Sequence, residues 1–393
     1  MRLLKSLILA AAPPLALGGC TTLVAPPQQD VTFTMPERAT AAGDSNILFW
    51  DDARRSAGFR SMEAMFAGHE VAPPARPRAL PRGAPLPPLI AREVDHYLAE
   101  NHAAGIIVLQ DGKVRHEAYG LGFGPEARWT SFSVAKSFTS TLLGAAVRDG
   151  LVAMDAPVTR YLPALAGTAY DGVTVEQLAT MTSGVKWNED YTDPNSDVAR
   201  MLTVAPVAGE SQSVTYARTL TREAPAGEKW VYKTLETNLL GDLVEAATGK
   251  TLAAYAKEKI VDPAGFAGPL FWMTDLTGRS DIGGCCLSLR LSDYARFGQF
   301  VLEGGQGVVP AGWFARAGAN QVAFPVPGFG YGYQWWTYPA GAFGAQGIFG
   351  QSITLVPERG LVVAVVSNWP RASDRALAAR RLALVAALSA VPR

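Results

Sequence analysis

Residues 129–150 read WTSFSVAKSFTSTLLGAAVRDG, a stretch that sets a serine three positions before a lysine at the head of an amphipathic run. Val134, Phe138, Leu142 and Leu143 fall on one helical face and Gly150 stops the pattern, so the spacing predicts a helix over Ser133–Arg148. Lys136 then lies one turn beyond Ser133 on the same face. A serine is a weak nucleophile until a neighbouring base takes its proton, and a lysine held at this spacing does so without histidine. The helix N-terminus adds free N–H groups and a positive partial charge where an oxyanion would form. Taken alone, the string also suits a helix cap followed by a surface lysine. A second string of the same kind, Ser183 to Lys186, has Gly184 inside it at the end of a short helix, where nothing fixes the lysine on the serine's side. Ser133 is the candidate nucleophile.

Before this helix, Ile106–Val108 and Val114–Tyr119 flank Asp111–Gly112, a hairpin pattern. After it, Thr174 and Gln177 have capping-box spacing for a short helix ending by Gly184. Ile353–Val356 and Leu361–Val366 flank the turn Pro357–Gly360, and an apolar helix follows over Ala372–Leu388. Strands at both ends around a helical middle predict an α+β fold whose terminal strands share one antiparallel sheet. Upstream, 12 of the 27 prolines fall within the first 90 residues, and Ala72–Pro88 carries seven of them, an extended connector. Ile47, Leu48, Phe49, Trp50, Phe59, Met62, Met65 and Phe66 supply apolar anchors that a bare tether would not need, so this arm is expected to pack on the body.

The 393 residues carry 35 Lys plus Arg against 35 Asp plus Glu, which leaves no cationic field for nucleic acid or an anionic membrane face. All four histidines (His69, His96, His102, His116) precede residue 117 with no metal-ligand spacing, so neither a metal nor an organic cofactor is expected. No serine sits within a GxSxG string, which excludes an α/β-hydrolase. Arg2, Lys5 and the apolar run Leu7–Leu17 read as an export signal. Leu17, Gly18, Gly19 and Cys20 resemble a lipoprotein lipobox, which implies acylation of Cys20 and a lipid anchor on the periplasmic side of a bacterial membrane, the outer one given Thr21. Cys285 and Cys286 are expected as free buried thiols, since neighbouring cysteines seldom bridge.

The nucleophile helix resembles that of the serine β-lactamase and penicillin-recognising hydrolases. Further blocks follow in order: TVEQLATMTSGVKWNEDYTDP, GEKWVYKTLETNLLGDLVEAATGK, LSDYARFGQFVLEGG and GIFGQSITLVPERGLVVAVVSNW. They are most similar to the class C-like branch of 6-aminohexanoate-dimer hydrolases and family VIII esterases, and NILFWDDARRSAGFRSMEAM looks like that branch's N-terminal segment. The resemblance implies a β-lactamase-like domain over 91–393, preceded by a signal peptide (1–19), a tether (20–44) and the arm with its connector (45–90). It implies acyl transfer from esters or amides, with Ser133, Lys136 and Tyr232 catalytic, which of the latter two is the base being open. The backbone N–H groups of Ser133 and Ile348 would form the oxyanion hole. Thr234, Gln346, Gly347 and Tyr191 would contact substrate, although Tyr191 equally suits a packing role. Trp187, Trp335 and Trp336 read as core or pocket wall. Ala345 stands where the family's third motif carries lysine and cannot pair with a carboxylate, so uncharged short esters are expected to outrun β-lactams. The alternative is a penicillin-binding-like cell-wall module or weak β-lactamase.

Overall fold

The computed structural model describes residues 30–36 and 46–393. Its strands in chain order are β1 (Val31–Thr34), β2 (Gly68–Val71), β3 (Ala103–Gln110), β4 (Lys113–Tyr119), β5 (Trp129–Thr130), β6 (Leu270–Met273), β7 (Leu287–Leu289), β8 (Val322–Ala323), β9 (Gly330–Tyr331), β10 (Trp336–Thr337), β11 (Phe343–Gly347), β12 (Gln351–Val356) and β13 (Leu361–Ser367). The larger sheet runs β4-β3-β13-β12-β11-β10-β9-β8 and the smaller β1-β2-β6-β7-β5.

β3 is apolar at nearly every position because both its faces are covered. Ile107 and Leu109 join the main core beside helices Ala135–Arg148 and Leu291–Leu302, whereas Ile106 and Val108 meet Val94 and Tyr97 of helix Pro88–Glu100 and Leu384, Val385 and Leu388 of helix Arg375–Ala390. The result is helices on both faces of an antiparallel sheet. As the sequence predicted, it joins strands from opposite ends of the chain, with Ile107 paired to Ala364.

Several particulars differ. The middle region also contributes β6 and β7, which pair with the arm through β2 to make the second sheet. Residues 31–34, assigned to the tether, form β1 on that sheet's edge. The C-terminal helix starts at Arg375 rather than Ala372, because the Asp374 carboxylate accepts from Leu377 N at 3.0 Å and caps it there. The capping box closes on both sides at Thr174 and Gln177, but its helix stops at Ala179. Cys285 and Cys286, expected as free thiols, instead have their sulfur atoms set against one another directly after the turn at Gly283–Gly284. The export signal and Cys20 lie outside the described residues. No helix among the described residues is long and apolar enough to cross a membrane.

Candidate active site

Ser133 lies in a single 3-10 turn, Phe132–Val134, that leads into the α-helix Ala135–Arg148, so the helix proper begins two residues later than the spacing predicted. Upstream, the chain is pinned by Ser131, whose N–H donates to the Leu287 carbonyl at 2.7 Å and whose hydroxyl accepts from Leu287 N at 2.8 Å. Phe132 has φ 43°, a left-handed conformation costly for a bulky residue. Phe349, on the far side of the site, is likewise left-handed at 59°. Their rings lie 5.4 Å apart, and Phe59 from the arm packs against both at 4.9 and 5.4 Å. The arm therefore holds in place the two strained residues flanking Ser133 and Ile348.

β11 ends against this turn. A Cβ at Gly347 would stand 2.5 Å from the Ser131 carbonyl oxygen and 3.1 Å from Ser133 N, so only glycine lets the strand come this close. The approach sets the backbone of Gly347–Ile348 beside that of Ser133.

Lys136 is 1% exposed. Its ammonium donates to Thr234 Oγ1 at 3.1 Å and to the Gly284 carbonyl at 3.0 Å, and it sits 5.4 Å from the centre of the Tyr232 ring. Desolvation pushes its pKa down to about 7, against the opposing pull of the Glu189 charge. Tyr232 moves the other way: burial, then the Glu189 charge, raise its phenol well above its ordinary value, and a hydrogen bond from the Ser133 hydroxyl only partly offsets them. Its ring stacks on Trp336 at 5.5 Å.

Glu189 was not singled out in the sequence. Its carboxylate accepts from Thr234 N at 2.9 Å and Tyr191 OH at 2.8 Å, and also from the Thr234 hydroxyl and the Trp187 indole. Trp187, Glu189 and Tyr191 alternate along the chain, and that period-2 pattern was the available signal. Thr234 thus spends its hydroxyl between Lys136 and Glu189 instead of presenting it freely to a ligand. Of the tryptophans, Trp335 is core, Trp187 is nearly so, and Trp336 lines the cleft.

Ser133, Tyr232, Tyr191, Glu189, Trp336, Gln346, Gly347 and Ile348 line one cleft of about 360 Å³, closed at its far end by the start of the C-terminal helix. Ser133, Tyr191 and Ile348 also border an apolar cavity of about 100 Å³ walled by Ile47, Leu48, Phe66, Met201 and Met273. The sequence-predicted residues other than Cys20 are therefore brought together. Ala345 is not among the cleft residues; it is 2% exposed within β11, opposite Ile353. The rejected Ser183 donates to the buried Glu236 carboxylate, and its Lys186 is exposed. Among the described residues, no cluster of His, Cys, Asp and Glu could hold a metal ion.

A family model described as Beta-lactamase matches residues 90–387. The chain belongs to the β-lactamase family. It is 31% identical over 319 residues to a 6-aminohexanoate-dimer hydrolase of Paenarthrobacter ureafaciens, covering 72% of this chain and 77% of that one. A solved structure from Bacillus anthracis, described as a 6-aminohexanoate-dimer hydrolase, superposes with a TM-score of 0.78 at 20% identity, covering 91% of this chain and 98% of the other. EstCE1, a hydrolase with promiscuous acyltransferase activity, shares the fold with a TM-score of 0.59 at 15% identity, over 71% and 93% of the two chains. This β-lactamase-family chain is a serine hydrolase.

Proposed function

We propose that the protein cleaves linear amides or esters through an acyl-enzyme on Ser133. The observation that carries this reading is Ser133 and Tyr232 facing one cleft, with the buried Lys136 ammonium 5.4 Å from the centre of the Tyr232 ring and its pKa lowered to about 7. A lysine near that value is neutral in a large share of molecules at neutral pH, while the tyrosine keeps its proton. Lys136 is then the final base: the serine proton passes to the Tyr232 oxygen as the phenol proton passes to Lys136. Ser133 Oγ bonds to the carbonyl carbon, and the Ser133 and Ile348 N–H groups receive the developing oxyanion. The tetrahedral species collapses with loss of the amine or alcohol, which takes its proton back from Tyr232, and water repeats the path to release the acid. The apolar cavity beside Ser133 suits an aliphatic part of the substrate.

A fluorophosphonate probe tests the nucleophile. Wild type should label and Ser133→Ala should not; equal labelling of both would overturn it. A panel of p-nitrophenyl esters, an aminohexanoate dimer, nitrocefin and a D-alanyl peptide then separates esterase or amidase from β-lactamase or cell-wall activity. The chain is further proposed to be an exported lipoprotein anchored through Cys20, and Cys20→Ser should move it from the membrane fraction to the soluble one.

A further inference from the structure

The helix Arg375–Ala390 turns Leu377, Leu384, Val385 and Leu388 inward, and Arg381 falls on the same stripe. It is 5% exposed and lines the cleft that holds Ser133. Its Nη1 donates to the carbonyls of Gly350 and Gln351 at 3.2 and 3.5 Å, its Nη2 to Gln346 Oε1 at 2.8 Å, and the guanidinium lies 5.0 Å from the centre of the Trp369 ring. Every one of these partners is neutral, and no carboxylate among the described residues lies within ion-pair distance of Arg381. The other charged residues lining the cleft are Arg375, which is exposed, Asp374, which caps the helix, and Glu189, which is held by Thr234, Tyr191 and Trp187. Both carboxylates of the cleft are thus taken up by donors other than Arg381.

A guanidinium does not shed its proton, so burying one without a counter-ion leaves a standing positive potential that neutral carbonyls offset only in part. Here that potential opens on the cavity containing the nucleophile. We propose that Arg381 is an anion subsite that receives a carboxylate at one end of a linear substrate, while the scissile carbonyl sits at Ser133. The preferred substrates are then carboxylate-terminated esters or amides, contrary to the expectation drawn from Ala345 that neutral esters would be favoured. Gln346 completes the subsite: its Oε1 is held by Arg381 and its Nε2 donates to Tyr338 OH at 2.6 Å, which fixes the amide's orientation.

This inference rests on the hydrolase reading above for its kinetic arm only. Two matched pairs place the carboxylate on either side of the scissile bond: mono-p-nitrophenyl glutarate against p-nitrophenyl pentanoate, and 4-acetoxybenzoate against its methyl ester. Wild type should favour the anionic member of at least one pair by about tenfold or more in kcat/KM. Arg381→Met should cut that anionic-to-neutral ratio at least tenfold, and Arg381→Lys should restore part of it. A purely structural arginine would slow both members alike and leave the ratio unmoved, which would overturn the subsite, as would a wild-type preference for the neutral member of both pairs. Binding is read independently of chemistry: glutarate should raise the Tm of wild type and of Ser133→Ala, and lose that effect in Arg381→Met. If no ester is turned over yet glutarate binds through Arg381, the hydrolase reading fails and the subsite stands; if esters turn over and glutarate has no effect on any variant, the reverse holds.

Discussion

Removal of the Ser133 hydroxyl is expected to lower kcat by at least about 10⁴-fold with the fold intact, as read by p-nitrophenyl ester hydrolysis alongside a melting curve. Ser183→Ala should do the opposite, sparing turnover while costing roughly 1–3 kcal/mol of stability, because Ser183 satisfies the buried Glu236 carboxylate. With Lys136 as base, kcat/KM should rise with pH through about 7 as the ammonium deprotonates. Glu189 holds the charged form of Lys136, so Glu189→Gln should move that acid limb to lower pH; an unmoved limb would divorce the two groups. Ser133, Lys136 and Tyr232 were legible because their residue types and spacings are dictated by the chemistry. Glu189 and Arg381 were not. A single acid in a polar loop and the second arginine of Arg380–Arg381 look like solvated charge until the fold shows what surrounds them, although Arg381 does fall on the apolar stripe of its helix.

Among the elements, the arm carries more than its composition suggested. Apolar anchors predicted that it packs, but β2 lacks the alternating pattern that marks a strand, β1 alternates over only four residues, and the two-residue strands β8, β9 and β10 are too short for any periodicity to reveal them. β3 and β13 were visible because largely apolar runs bounded by turns leave few alternatives, and β12 because its second half leads into the same turn as β13. The position of Phe59 between Phe132 and Phe349 ties the arm to the chemistry. Phe59→Ala should cost about 3–5 kcal/mol. It should also depress kcat more than KM, measured well below the variant's Tm, since the loosened rings release the backbone that carries the oxyanion-hole N–H groups. A stability loss with kcat unchanged would make the arm a cover and nothing more.

For the whole molecule, the decisive feature is that strand β3 lies between β4, its immediate successor, and β13, close to the chain's end, with Val108 opposite Val363. A chain ending at Gly360 would leave β3 with one open edge and both its apolar faces partly bare, and should elute as aggregate in size-exclusion chromatography where the full chain is a defined species. The same pairing sets a clock. At about 5–20 residues per second, a ribosome needs roughly 10 to 50 s after finishing β3 to deliver its second neighbour. Throughout that interval a strand buried on both faces waits half-paired, so whatever keeps the nascent chain from sticking to others must act for tens of seconds, longer than the millisecond-to-second folding of small sheet domains.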